Sequence, residues 1–260
     1  MLYDTTADVI RKALRGLAMA PSEAAAKAGL DEKAVIAASR GSADPALLMS
    51  LAPALGLNRE ALAGLPRYVP PDDIPNRIIR LELPFDDETV NAWLVSDGEG
   101  GHLLFDTGDG RDDVRQALDQ RGVHEVAVLI THLHGDHTGG LTGLRGLTVS
   151  VAGPGSAAAP VPGNTIRRGG LTLRIIALSG HCPGALGYVI EGLSVPVCVT
   201  GDALFAGSIG GCAPGEPYRQ ALAALRGSVM TLPDETILLP GHGPATTVAS
   251  ERMANPFLAG

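Results

Sequence analysis

The chain has 260 residues, of which 45% are hydrophobic and 18% are charged, a balance that permits a well-filled core and excludes a globally disordered protein. Its net charge of −8 argues against general binding to nucleic acid or to an anionic membrane surface, because both require clustered positive charge. Three cysteines without a CxxC pair, no basic-then-apolar leader, and no apolar run near the roughly 18 residues of a membrane span predict a cytoplasmic protein that does not enter a membrane.

Residues 1–65 are predicted to form a small all-α domain. Thr6 or Asp8 is the expected cap of a first helix, and Asp31 the expected cap of a third helix that runs through Ala38. Further helices are predicted from Pro21 to Gly29, from Asp44-Pro45 to Leu55, and from Asn58 onward. This succession of short helices resembles the five-helix helix-turn-helix domain of phage-repressor-type regulators.

The charges of this segment argue against a DNA-binding role. Residues 1–65 contain seven acidic and seven basic side chains, and the helix that would enter the major groove begins with Asp31-Glu32. DNA binding normally requires several cations on one face to contact phosphates. We therefore predict an accessory module, with homodimerisation as a possible role, rather than a DNA reader. A transcriptional sensor is the alternative for this segment.

Residues 66–75, with four prolines, are predicted to be a linker. Residues 76–260 are predicted to form a second, α/β domain, in which strands fall into two groups with helices between them. This pattern indicates two sheets with helices on their outer faces. The predicted strands are 78–83, 89–95, 102–105, 126–130, 147–151, 171–178, 186–190, 195–200 and 236–239, and the predicted helices are 112–120 and 218–229.

The most informative stretch is THLHGDHTGG, residues 131–140, which follows the apolar run 126–130. In an extended backbone His132 and His134 point to the same side and can hold one cation. Gly135 allows the chain to bend, so that Asp136 and His137 can face a second position. Imidazoles and carboxylates suit zinc, iron or manganese. The stretch therefore predicts a metal site.

Three further motifs place one metal-competent side chain each at the end of a predicted strand. They are SGHCPG with His181, TGDALF with Asp202, and LPGHGPATT with His242. Loops at strand ends can converge on one site. We therefore predict that these three side chains join the histidine-rich loop.

Together these motifs resemble the metallo-β-lactamase superfamily, and within it the glyoxalase II (hydroxyacylglutathione hydrolase) branch. The resemblance covers about residues 75–260 and implies an αββα sandwich with two divalent metal ions at one edge. Zinc is the expected metal, with iron or manganese as alternatives.

The resemblance also implies a role for each site residue. The first ion would be held by His132, His134 and His181, and the second by Asp136, His137 and His242, with Asp202 bridging both. Asp136 and Asp202 would carry the catalytic role, with a hydroxide between the ions attacking the carbonyl of a small acyl substrate. Asp106, in the sequence FDTG, would orient one of the ligand imidazoles.

The resemblance leaves several reactions open. Thioester hydrolysis is the expected activity, a lactonase or other esterase is the alternative within the same chemistry, and an iron persulfide dioxygenase using His132, His181 and Asp202 is the alternative outside it. Relatives often carry Lys or Arg nine residues after the bridging aspartate, where this chain has Gly211, and no lysine follows Lys33. A glutathione substrate would therefore lack its usual contacts.

The cysteines are not expected to act in catalysis. Cys182 and Cys198 are predicted to be buried, and Cys212 is predicted to be the most exposed of the three.

Overall fold

The computed structural model, which describes residues 1–71, 73–110, 112–156 and 159–260, begins with a group of short helices. The predicted all-helical character of this part is confirmed. The helices are α1 (Thr6–Gly16), α2 (Pro21–Ala28), α3 (Glu32–Ala38), α4 (Pro45–Leu51) and α5 (Arg59–Gly64), with 3-10 turns at Ala52–Leu55 and Leu65–Arg67. The helix predicted to reach Leu55 therefore ends its α-helical part four residues earlier. The helix-turn-helix assignment and the homodimer remain predictions.

The predicted cap of α1 was wrong by one residue. Thr5 is the N-cap, and its hydroxyl accepts a hydrogen bond from the Asp8 backbone N–H. Asp8 lies at the third helical position and its carboxylate accepts from the Thr5 backbone N–H at 2.9 Å, so the two residues form a reciprocal capping box. The predicted cap Asp31 is confirmed.

A five-stranded mixed sheet follows, in the order β1-β2-β3-β4-β5. Its strands are β1 (Ile78–Phe85), β2 (Glu88–Ser96), β3 (His102–Phe105), β4 (Glu125–Leu129) and β5 (Thr148–Ala152). The first three strands pair antiparallel, and β3, β4 and β5 pair parallel. Helix α6 (Asp113–Asp119) connects β3 to β4, as a parallel crossover requires.

A second sheet of six strands has the order β13-β12-β9-β8-β7-β6. Its strands are β6 (Thr165–Arg168), β7 (Leu171–Ala177), β8 (Leu186–Glu191), β9 (Val197–Gly201), β12 (Ile237–Pro240) and β13 (Thr246–Thr247), and a separate hairpin is formed by β10 (Leu204–Phe205) and β11 (Ser208–Ile209). The sequence did not predict β6, β10, β11 or β13. The last three have two residues each, too few to show a hydrophobic period.

The two sheets pack face to face, and helices cover their outer faces. Between the sheets lies a core that includes Trp93 and Phe105 from the first sheet and Tyr188 from the second. Helix α6 covers the outer face of the first sheet. The second sheet packs against helices α8 and α9. Helix α8 spans Glu216–Ala224 and is extended by a wider turn at Leu225–Val229, and α9 spans Val248–Ala254. This is the expected layered arrangement.

The N-terminal helices pack directly against the second sheet. One continuous buried cluster contains Val9 and Ile10 of α1, Ile176 and Val189 of the second sheet, and Tyr218 of α8. The domain boundaries at 65 and 76 stay a prediction. However, the cluster shows that the helices share their hydrophobic core with the rest of the protein, which a freely tethered module would not do.

The predicted exposure of Cys212 was wrong. Cys212 is 4% exposed and belongs to the cluster shared with the N-terminal helices. Sequence reasoning placed it on a surface loop because it could not show that α1 folds over that loop. Cys182 and Cys198 are buried, as predicted.

Among the described residues, no helix combines the length and the apolar character needed to cross a bilayer.

Candidate metal centre

The predicted site residues meet at one edge of the sandwich. Strands β7, β9 and β12 run in the same direction, so the loops that carry His181, Asp202 and His242 leave the second sheet at the same end. His132 and His134 follow β4 of the first sheet, and a short helix, α7 (Gly135–Thr138), carries Asp136 and His137. The fold thus brings all seven predicted residues together, in two groups.

The first group consists of three imidazoles. His134 Nδ1 lies 3.0 Å from His132 Nε2 and 3.0 Å from His181 Nε2. Three ring nitrogens at this separation point into one common space. His132 is 1% exposed, whereas His134 is open to solvent, so this group lies at the outer edge of the site.

The second group combines two imidazoles with two carboxylates. His242 Nε2 lies 3.2 Å from Asp136 Oδ2, and His137 Nε2 lies 3.2 Å from Asp202 Oδ1. His137 is 0% exposed and His242 is 2% exposed. This group is therefore the more deeply buried of the two.

Asp202 lies between the groups. Its Oδ1 faces His137, and its Oδ2 lies 3.6 Å from His181 Nε2 of the first group and 3.6 Å from His242 Nε2 of the second. By distance, Asp202 belongs to the second group, with Asp136, His137 and His242. The contact with His181 shows that the carboxylate reaches both.

The chemistry of these atoms fits divalent metal ions. His137 Nε2 and Asp202 Oδ1 are buried, and although they lie 3.2 Å apart they do not have hydrogen-bond geometry, so neither has a hydrogen-bond partner among the described residues. Such atoms are costly unless something else satisfies them. Burial lowers the pKa of His132 to about 4, so this imidazole is neutral at pH 7 and its lone pair is free to bind. Nitrogen and carboxylate donors suit zinc, iron and manganese.

A hydrogen-bonded chain behind the site orients two of the imidazoles. Asp106 Oδ2 accepts from His137 Nδ1 at 2.8 Å and from the Thr131 hydroxyl at 2.8 Å. The Thr131 hydroxyl in turn lies 3.0 Å from His132 Nδ1. With both outer nitrogens protonated, the inner nitrogens of His132 and His137 present lone pairs to the site. Thr131 was not predicted, although it directly precedes His132.

Backbone carbonyls hold two other imidazoles. Gly211 O accepts from His181 Nδ1 at 2.8 Å, and Thr89 O accepts from His242 Nδ1 at 2.9 Å. Sequence reasoning missed both contacts because backbone carbonyls have no side-chain signature. Gly211 therefore has a positioning role that its lack of a side chain conceals.

Close packing explains the glycine beside His242. A Cβ atom at Gly241 would overlap Asp202 Oδ1 and lie 2.6 Å from His137 Cε1. Any side chain here would push the second group apart. Asn91 of β2 fixes the same loop by donating through Nδ2 to the carbonyls of Pro240 and Gly243.

Replacing Asp106 should weaken metal binding. Asp106→Ala leaves His137 Nδ1 and the Thr131 hydroxyl without their acceptor, and we expect metal affinity to fall roughly 10–100-fold. Asp106 adopts φ +61°, so alanine also strains the backbone. Asn tolerates this region, and Asp106→Asn should lose affinity through the missing charge with less strain. Titration with a chromophoric chelator measures both variants.

A surface carboxylate provides the control for this prediction. Asp87 is exposed in the turn between β1 and β2, and Asp87→Ala should bind metal like the wild type. Wild-type affinity in both Asp106 variants would contradict the orienting role.

Comparison with known proteins identifies the fold family. The sequence profile described as the metallo-beta-lactamase superfamily matches residues 85–242. The chain is 30% identical over 202 residues to the probable metallo-hydrolase YqgX of Bacillus subtilis (strain 168), a match that covers 66% of this chain and 93% of YqgX. It is 28% identical to the hydroxyacylglutathione hydrolase GloC of Haemophilus influenzae (strain Rd KW20), covering 65% of this chain and 92% of GloC.

A solved structure has a similar fold. The crystal structure of TTHA1623 in a di-iron-bound form superposes with a TM-score of 0.55 at 28% identity, covering 68% of this chain and 99% of that one. The profile match spans more than half of the chain and includes each of the seven site residues. The chain therefore belongs to the metallo-β-lactamase superfamily.

Proposed function

We propose that the protein is a binuclear metal-dependent hydrolase that cleaves the thioester of a small acyl substrate. The observation that carries the proposal is the position of Asp202, whose carboxylate lies within 3.6 Å of donor atoms in both groups. Under this proposal His132, His134 and His181 hold one ion. Asp136, His137 and His242 hold the other, and Asp202 is shared. Zinc is the metal we propose, with iron or manganese as alternatives.

The chain's own residues prepare the site for this reaction. Asp106, Thr131, Gly211 and Thr89 hold the outer nitrogens of four imidazoles, so that the inner donor atoms are fixed before a substrate arrives. A pair of divalent ions supplies a nucleophile from water at neutral pH and polarises a carbonyl. A serine or cysteine nucleophile is then unnecessary. The catalytic importance of Asp136 and Asp202 follows from their position as the two carboxylates among the seven.

The nature of the acyl bond is supported by similarity rather than by geometry. The likeness to a hydroxyacylglutathione hydrolase at 28% identity favours a thioester. A lactone or another ester presents the same carbonyl to the site and is the rival substrate. The protein would release a carboxylic acid and a thiol from a thioester and water.

Metal content is the first test. We expect two ions per chain in protein purified without added metal, measured by elemental analysis, together with hydrolysis of at least one member of a thioester and lactone panel. His242→Ala should reduce the content to about one ion because it removes a ligand of the second group. The matched control is His124→Ala, since His124 is an exposed histidine outside both groups.

The alternative reaction has a distinct signature. A single iron per chain, with oxygen consumed when a glutathione persulfide is added, would replace the hydrolase proposal with the persulfide dioxygenase. If the protein hydrolyses lactones but no thioester, the proposed metal centre stands and the proposed substrate becomes a lactone.

A second test concerns Gly211. Because relatives often place a cation here, we expect wild-type protein to saturate poorly with lactoylglutathione, and Gly211→Arg to raise kcat/KM for this substrate roughly tenfold, mainly through KM. A Cβ at Gly211 meets no atom within 4 Å, so a side chain can leave the backbone here without a clash. At the neighbouring Gly210 a Cβ would overlap the Asp202 carbonyl, which restricts the test to position 211.

The control for Gly211→Arg is the uncharged Gly211→Gln, which should show no gain. Added salt should reduce the gain from arginine, because the contact would be a partly exposed ion pair. Tight binding of lactoylglutathione by the wild type would show that the substrate is held by other residues.

A further inference from the structure

The first residues of the chain lie against the metal centre. The Tyr3 ring stacks on His242, with centroids 4.6 Å apart and planes inclined by 20°. It also meets Phe205 edge-on at 5.0 Å. Phe205 is 2% exposed, whereas Tyr3 is only partly buried. One side of the Tyr3 ring thus packs on a ligand imidazole while part of the residue stays accessible.

Lys12 fixes this segment in place. Its ammonium pairs with the Asp4 carboxylate, donates to the Ile209 carbonyl at 2.8 Å, and lies 4.9 Å from the centre of the Phe205 ring. Asp4 is 7% exposed. An ion pair this well shielded, with an additional hydrogen bond, holds α1 to the hairpin β10–β11 more firmly than a surface pair would.

A cavity of about 330 Å³ lies between this segment and the metal centre. His181, Asp202 and Gly211 line one side of it, and Tyr3, Lys12 and Glu88 line the other. A substrate whose carbonyl reaches Asp202 and His181 would therefore have the rest of the molecule beside Tyr3.

The charges around this cavity leave no free cation for the substrate. Among the described residues that line it, Lys12 is the only lysine or arginine, and its ammonium is already engaged by Asp4 and Ile209. The Asp8 carboxylate is paired with Arg11. Glu88 is exposed and adds a negative charge near the Tyr3 hydroxyl. No side-chain cation of the described lining residues would compensate this charge for a carboxylate on the leaving group beside Tyr3, whereas the ions proposed at the metal centre would act on the acyl carbonyl at the opposite side of the cavity.

We propose that residues 1–12 form the specificity wall of the substrate cavity, with Tyr3 contacting the leaving group and Glu88 selecting leaving groups without negative charge. This inference rests on the proposed hydrolase function and names its substrate class, a thioester of a neutral or cationic thiol. It also gives the N-terminal helices a role in substrate recognition.

Three acetyl thioesters that share an S–CH₂–CH₂ unit and carry a terminal group of different charge test the wall. They are acetylthiocholine (cationic), S-acetyl-N-acetylcysteamine (neutral) and S-acetyl-3-mercaptopropionate (anionic). We expect kcat/KM of the wild type to be at least roughly tenfold higher for the first two than for the anionic ester, since like charges a few ångströms apart repel. Glu88→Lys should remove or reverse this preference. The matched control Glu99→Lys, at an exposed glutamate that does not line the cavity, should keep it.

The role of Tyr3 is tested by which kinetic constants change when Tyr3 is replaced. Tyr3→Ala should raise KM for the neutral and cationic esters and reduce the preference among the three, with metal content unchanged. A role exerted only through His242 would instead lower kcat equally for all three. Equal effects, or a charge preference that survives both Tyr3→Ala and Glu88→Lys, would overturn the proposal.

A binding measurement tests the specificity wall even if the protein hydrolyses none of these esters. The probes are the ketones in which CH₂ replaces the sulfur of each thioester, added to full-length protein labelled with fluorotyrosine, and Tyr3→Phe assigns the ¹⁹F signal of Tyr3. We expect the cationic and neutral ketones to shift this signal and the anionic ketone to leave it unchanged. No shift with any probe would overturn the wall. Shifts without hydrolysis of any ester would overturn the proposed hydrolase and leave the wall intact.

Discussion

Asp202→Ala should abolish hydrolysis, lowering kcat/KM by on the order of 10⁴-fold or more, the size of effect seen when a residue of an interdependent catalytic set is removed. The reason is geometric. Asp202 is the carboxylate whose oxygens lie within 3.6 Å of ligand nitrogens in both groups, so its loss weakens both ion sites at once. Metal content should fall with activity.

His132→Ala separates this effect from the loss of a single ligand. His132 belongs to the first group alone, so its removal should release one ion and leave the other bound. Far-UV circular dichroism and a thermal melt establish that each variant is folded, and Asp87→Ala serves as the surface control. Wild-type activity in Asp202→Ala would show that this carboxylate is not shared between two ions.

The seven site residues could be predicted because each lies in a short sequence motif. His132, His134, Asp136 and His137 fall within six positions, and the other three follow predicted strands next to glycine. Strands that run in the same direction end at the same edge of the sheet, so the loops that follow them lie close together. Short-range patterns thus sufficed to name the site residues, whereas their division into two groups was implied by the resemblance to the metallo-β-lactamase superfamily.

The residues around the site could not be predicted in the same way. Lys12 contacts Ile209, 197 positions later in the sequence, and Tyr3 stacks on His242. Neither contact follows from periodicity or spacing, because both depend on how the N-terminal helices dock on the second sheet. The misplaced Cys212 has the same cause. Sequence reasoning therefore gave the candidate ligands that meet at the site and missed the residues that line the cavity beside them.

A buried carboxylate in α9 connects the predicted linker to the hairpin β10–β11. Glu251 of α9 is 0% exposed. Its Oε1 accepts from the hydroxyls of Tyr68 and Thr246, each at 2.7 Å. Its Oε2 accepts from the Gly207 N–H at 3.0 Å and from Asn255 Nδ2 at 2.8 Å. Tyr68 lies in the predicted linker and Gly207 in the hairpin that carries Ile209. Glu251 thus ties the linker to the loop beside the cavity.

Glu251→Leu should strongly destabilise the protein. It leaves buried donors without an acceptor, at about 1–3 kcal/mol for each donor that finds no substitute. Tyr68 and Thr246 lie 2.7 Å apart and can bond each other, so Gly207 and Asn255 bear most of the loss. We expect unfolding free energy to fall by about 3–5 kcal/mol and Tm by roughly 10 °C.

Glu251→Gln is the matched control, and pH distinguishes it from the wild type. Glutamine keeps an acceptor for Gly207 and Asn255, and its amide can donate to the two hydroxyls, so stability near pH 4 should resemble that of the wild type.

Burial raises the pKa of Glu251 above its ordinary value of 4.5, although its hydrogen bonds oppose the shift. A raised pKa means that the folded protein holds this proton more tightly than the unfolded chain. The stability that Glu251 contributes is therefore present in full below pH 4.5 and declines as pH rises through the folded-state pKa. The Gln variant has no such group, and it should gain stability relative to the wild type between pH 4 and pH 7. Urea unfolding at both pH values measures the difference. An unchanged difference would show that folding does not shift the pKa of Glu251, and a gain by the wild type relative to the Gln variant would show that Glu251 is ionised throughout and held by its four donors; either result contradicts the prediction.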